Sequence, residues 1–207
     1  MTARAGSAGA TDQRRTRARA GKSRHIAVFC GARVGARAEH LNFAREFGIT
    51  LARRGLDLVY GAGGAGVMRA VADGVTQAGG GVIGVIPQGL HERESADQAR
   101  GALFMVRTMH DRKTLMYRLA SGFAVLPGGF GTLDELMEVV TWNQLSLIAK
   151  PVVVVNHLGF YDPMLAMLDH LVAEGFLVTA ERTLVQVAGT AEEALDILER
   201  DPAGLTG

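Results

Sequence analysis

From residue 25 onward, short apolar runs alternate with longer stretches whose apolar residues recur at helical spacing. The short runs predict strands over His25 to Cys30, Leu56 to Tyr60, Gly81 to Ile86, Leu103 to Val106, Phe123 to Leu126, Val152 to Asn156 and Leu184 to Val187. Between and after them, the periodic stretches predict helices over Ala38 to Arg54, Val67 to Gln77, His110 to Leu119, Leu133 to Leu147, Pro163 to Glu174 and Glu192 to Arg200. The runs at Phe123 and Val152 are apolar at odd and even positions alike, as in strands covered on both faces. Such alternation predicts a Rossmann-like α/β fold, a parallel sheet with helices on both faces. In that architecture ligands collect at the carboxyl ends of the strands. The glycine turns after Cys30, Tyr60 and Leu126 fall there, as does the turn after Ile86.

Composition adds limits. At 207 residues and 48% hydrophobic side chains, the chain suits a single nucleotide-binding catalytic domain over residues 25 to 202, with no repeat and no interior linker. The formal net charge of +1 hides an asymmetry: Arg4, Arg14, Arg15, Arg17, Arg19, Lys22 and Arg24 face only Asp12 before residue 25, leaving 15 basic and 20 acidic residues beyond it. A body of that charge is not expected to bind nucleic acid specifically. Residues 1 to 24 carry no apolar periodicity and are read as a disordered basic extension, dispensable for folding and without the apolar core of a secretory signal. Cys30 is the sole cysteine, which excludes an internal disulfide, and no apolar run is long enough to span a bilayer. A cytoplasmic protein without membrane association is expected.

The richest chemistry lies between Val125 and Pro151. An apolar strand turns through Pro127, Gly128, Gly129, Phe130 and Gly131 and enters a helix with Leu133, Leu136, Met137 and Val140 at core spacing. Glycines before a helix start let a ligand approach backbone N–H groups at the positive end of the helix dipole, which suits a phosphate. Thr132-Leu133-Asp134-Glu135 also has the spacing of a capping box, so Glu135 has a structural reading beside a chemical one. Gly61 to Gly66 match G-x-G-x-x-G, yet Ile86, Pro87 and Gln88 stand where a ribose-binding acid would be needed about 20 positions on. Nicotinamide binding is therefore disfavoured, and both a tight turn and phosphate contact remain open for this loop. Arg112 and Lys113 are either a solvated pair or a cationic edge facing a ligand. His110, His157 and His170 lack zinc spacing, so no metal is expected.

The pattern P-G-G-x-G-T-x-x-E at Pro127 to Glu135, together with Met109-His110-Asp111-Arg112-Lys113 and the following Met116, resembles the LOG family of cytokinin riboside 5′-monophosphate phosphoribohydrolases. The similarity takes in Val28 to Gly31, Leu58 to Gly61, Val82 to Pro87 and Thr141 to Leu145, and covers roughly residues 25 to 200. It implies hydrolysis of the N-glycosidic bond of N6-modified adenosine 5′-monophosphates without a cofactor, releasing the base and ribose 5-phosphate. It further implies that Arg112 and Glu135 are catalytic and that Gly31, Gly61, Met109, Lys113, Gly128, Gly129, Gly131 and Thr132 meet the substrate. A homodimer is implied as well, with the motif helix and the helix around Arg112 at its interface. Three departures bear on base and sugar preference: Ala32-Arg33 stands where relatives usually have two serines, Ala120 to Phe123 replaces a Ser-Asp-Ala-Phe, and Ala62 interrupts the glycine turn.

Two other functions compete. A non-catalytic carrier of a nucleotide or phosphorylated cofactor could use the same fold, because binding loops outlast chemistry. A lysine decarboxylase would need a Schiff-base lysine for pyridoxal phosphate, and the chain offers only Lys22, Lys113 and Lys150.

Overall fold

The computed structural model describes residues 24–90 and 99–200. All but the last residue of the basic extension expected at 1 to 24 lies outside the described residues. Strands β1 (His25–Phe29), β2 (Asp57–Tyr60), β3 (Val82–Pro87), β4 (Ala102–Val106), β5 (Gly122–Val125), β6 (Val152–Val155) and β7 (Gln186–Ala188) form one 7-stranded sheet in the order β4-β3-β2-β1-β5-β6-β7. Every pairing is parallel, which makes this the Rossmann-like α/β sheet that the alternation predicts.

Period two in the strands decides the layers. Ile26, Val28 and Cys30 of the first strand and its end join a core with Ala44, Phe47 and Leu51 of α1 (Glu39–Arg53), Val71 and Val75 of α2 (Gly66–Gln77), and Leu195 and Leu198 of α7 (Ala191–Glu199). Ala27 and Phe29 face the other way, onto Met116 and Tyr117 of α3 (Met109–Leu119), Leu136 and Val139 of α4 (Phe130–Gln144), and Leu168 of α5 (Asp162–Ala173). Strands β5 and β6 are buried throughout, because both cores rest on them.

Chain order reverses between β1 and β5, the two central neighbours from which the sheet grows outward in opposite directions. Their carboxyl ends diverge into separate loops and leave a crevice. The loops are tied at its floor: Gly31 N–H donates to the Pro127 carbonyl at 3.0 Å, and the Tyr161 hydroxyl donates to the Leu126 carbonyl at 2.7 Å.

Element boundaries differ from expectation where periodicity is silent. The motif helix α4 starts at Phe130 rather than Leu133, and ends at Gln144 rather than Leu147. Apolar spacing reports which residues face the core, and Phe130 and Gly131 do not. Leu145 and Leu147 follow the helix and are exposed. A further short helix, α6 (Thr179–Arg182), is too brief to show a period. Among the described residues no helix is long and apolar enough to cross a membrane.

Candidate active site

Gly129 is the N-cap of α4, and no side chain caps it. The N–H groups of the first turn therefore have no partner within the helix. This overturns the capping-box reading of Thr132 and Glu135: with the start at Phe130, Thr132 lies in the first turn and Glu135 in the second. The threonine hydroxyl is instead turned back against Gly128, where any Cβ would collide with it. Capping boxes do occur at Thr108 with Asp111 and at Thr190 with Glu193.

The first of these boxes positions Arg112. Thr108 and Asp111 exchange hydrogen bonds of 3.1 Å each and fix the start of α3, so the next residue projects towards the end of β2. There Arg112 is 4% exposed, and its Nη2 donates to the Gly61 carbonyl at 3.0 Å. A Cβ on Gly61 would fall on the guanidinium itself, so the glycine is what admits the arginine. Arg112 Nε is buried and has no hydrogen-bond partner among the described residues.

Glu135 is 7% exposed. Its charge and that of Arg112 act on the same neighbour, the buried Cys30 thiol: burial pushes the thiol well above its usual range, Glu135 pushes it further, and Arg112 opposes. The thiol stays protonated. Both charges therefore lie at the floor of the crevice, beside the open end of α4.

A cavity of about 770 Å³ fills the crevice. Of the predicted residues it brings together Gly31, Met109, Arg112, Gly128, Gly129, Gly131, Thr132 and Glu135. Gly61 does not line it and serves from behind, through Arg112. Lys113, expected at the substrate, does not line it either: its ammonium is held by Asp134 at 3.1 Å and Glu138 at 2.9 Å. One position along a helix rotates the side chain by about 100°, which turns Lys113 to the α3–α4 seam while Arg112 faces the crevice. Burial depresses the lysine's pKa, but the Glu138 and Asp134 hydrogen bonds outweigh it and the net shift is upward. Glu138 also accepts from the Tyr117 hydroxyl at 2.6 Å, which assigns it to the same seam.

His40, Phe160, Val34 and Gly35 complete the wall and carry no motif that would mark them. Only the rule that ligands sit at strand carboxyl ends points to the loops after β1 and β6 that supply or flank them.

Comparison with known proteins follows this geometry. A family model described as "Possible lysine decarboxylase" matches residues 68–198. The cytokinin riboside 5′-monophosphate phosphoribohydrolase LOG of Oryza sativa subsp. japonica is 45% identical over 181 residues, covering 87% of this chain and 75% of the rice protein. The chain belongs to the LOG family. An Arabidopsis thaliana member is 41% identical over 176 residues, covering 85% and 83% of the two chains. Among solved structures, the molybdenum cofactor carrier protein of Chlamydomonas reinhardtii superposes with a TM-score of 0.64 at 22% identity, covering 84% of this chain and 95% of that one, a likeness of fold.

The decarboxylase description finds no lysine in the LOG-family cavity among the described residues. Lys150 donates to the Tyr117 and Ala120 carbonyls at 2.6 and 2.7 Å, satisfying the end of α3, and burial lowers its pKa.

Proposed function

We propose that this protein is a cytoplasmic hydrolase of N6-modified adenosine 5′-monophosphates, cleaving the N-glycosidic bond to give the free base and ribose 5-phosphate. The observation that carries the reading is a guanidinium and a carboxylate, both buried, in one cavity with an uncapped helix start. The identity to enzymes named for this reaction supports it.

In this reading the phosphate sits against the first turn of α4, where Gly128, Gly129, Gly131 and Thr132 expose backbone N–H groups and a hydroxyl to it. Arg112 positions the substrate by holding ribose oxygens in the fixed plane of its guanidinium. As the C1′–N9 bond breaks, its electron pair leaves with the base and positive charge grows on the ribosyl carbon. Glu135 stabilises that charge and accepts a proton from the water that attacks C1′. The base takes up a proton, which balances the reaction.

Release of base, followed by chromatography, tests this directly. A 5′-monophosphate is expected to be cleaved far faster than its nucleoside, because the nucleoside leaves the helix start empty. Equal rates would remove the α4 turn from the mechanism. A carrier would bind the nucleotide and release no base at all.

The working unit is proposed to be a homodimer. Phe130 is 94% exposed at the mouth of the cavity and also borders a second depression, of about 550 Å³, with Leu133, Met137 and Trp142. With Leu145 and Leu147 exposed beyond it, the outer face of α4 presents neighbouring apolar side chains of the kind that an association surface uses. Sedimentation at micromolar concentration is expected to give a dimer, and Phe130→Glu to shift it towards monomer. A fully active wild-type monomer would exclude the assembly.

A further inference from the structure

One buried polar side chain at the cavity that the mechanism leaves unused is His40, in the first turn of α1. It is 7% exposed and lines the cavity. Its Nδ1 is sealed from solvent and has no hydrogen-bond partner among the described residues. Phe160 meets the ring edge-on at 5.6 Å and His157 at 6.2 Å, so two of its neighbours are other rings. His157 is itself stacked on Phe43 at 4.2 Å, which holds the cluster in place.

A buried N–H without an acceptor is rarer in folded proteins than an acceptor with an unfilled lone pair. The tautomer that fits this pocket therefore keeps its proton on Nε2, and that nitrogen is left to serve a ligand as a donor. Gly31 is tied to Pro127 beside the α4 turn, and Gly35 on the same loop lines the cavity together with His40. Arg33, between them, also lines the cavity. This end of the crevice thus offers donors: a guanidinium, the open N–H groups of α4 and an imidazole. Arg112 belongs to the β2 side, held by Gly61. A nucleotide whose C1′ lies at Arg112 and Glu135 has its 5′-phosphate reaching away from them, along the α4 turn.

We propose that His40 is a substrate-binding residue that donates from Nε2 to an oxygen of the 5′-phosphate. The assignment rests on the nucleotide reading above and narrows it to the phosphate end.

The test uses the full chain and titrates ribose 5-phosphate and, separately, adenosine by calorimetry. His40→Phe keeps the ring packing and removes both nitrogens; it is expected to weaken ribose 5-phosphate about 10-fold, the scale of one hydrogen bond to a charged group, with a smaller effect on adenosine. His40→Gln, which restores a donor, is expected to recover part of the loss. For the nucleotide, His40→Phe is expected to raise KM more than it lowers kcat. Unchanged affinity for ribose 5-phosphate overturns the proposal, as does no binding of it by the wild type. A larger loss for adenosine overturns it too and assigns the ring to the base. If His40→Phe fails to fold, the wild-type imidazole nitrogen resonances are followed instead: a shift of His40 with ribose 5-phosphate but not adenosine supports the contact, and no shift refutes it. Base release that persists while ribose 5-phosphate affinity ignores His40 would sink this inference alone. Affinity that depends on His40 without base release would sink the hydrolase reading alone.

Discussion

Glu135→Gln is expected to lower turnover of a 5′-monophosphate by about 10²-fold or more, the range for losing a positioned acid-base or charge-stabilising group. The substitution keeps size and shape at a site that is 7% exposed and removes the charge that would meet the ribosyl cation. Because Gly129, not Thr132, caps α4, glutamine there breaks no capping box. A fall in rate with unaltered thermal unfolding would thus report chemistry. Arg112→Ala is expected to cost a similar factor, but with a stability penalty of about 1–3 kcal/mol for orphaning the buried Gly61 carbonyl. Arg112→Lys separates the two effects, since it keeps a cation and loses the planar fork. A glutamine variant with full activity would return Glu135 to a purely structural role.

Gly61→Ala is the second change with a large expected effect. Gly61 has no positive φ, so alanine can adopt its backbone. The new methyl would instead occupy the position of the Arg112 guanidinium, which must move. The arginine end must leave its bond to the buried Gly61 carbonyl, so a stability cost of about 1–3 kcal/mol is expected, as in Arg112→Ala. The geometry proposed for catalysis has no room for that movement. A displacement on the order of 1 Å can cost about 10²-fold in rate. Turnover is expected to fall nearly as far as in Arg112→Ala, although the substituted residue does not line the cavity. Steady-state kinetics beside a thermal unfolding curve would check this. Wild-type turnover in Gly61→Ala would mean that the guanidinium position is not critical.

The sequence by itself determined the sheet, its parallel strands and the end of it that holds the site. Those follow from local rules. Apolar runs such as Val152 to Val155 permit only a strand covered on both faces, and glycine turns after β1, β2 and β5 mark the loops a ligand can approach. The motifs around Arg112 and Glu135 pointed to the family, because their residue types and spacing are specific to it.

Helix phase and start were not legible in the same way. Apolar periodicity fixes which side of α4 is inward but not where the first turn begins, so Glu135 looked like half of a capping box until Gly129 proved to be the N-cap. Lys113 shows the same limit. Adjacent to Arg112 in sequence, it faces Asp134 and Glu138 across a seam between two helices that the sheet brings side by side. The role of Gly61 behind Arg112 needs a contact across 51 positions, and the wall formed by His40 and Phe160 joins a helix and a loop still further apart. Which residues share the crevice between β1 and β5 is decided by packing over long sequence separations, and local pattern carries no record of that.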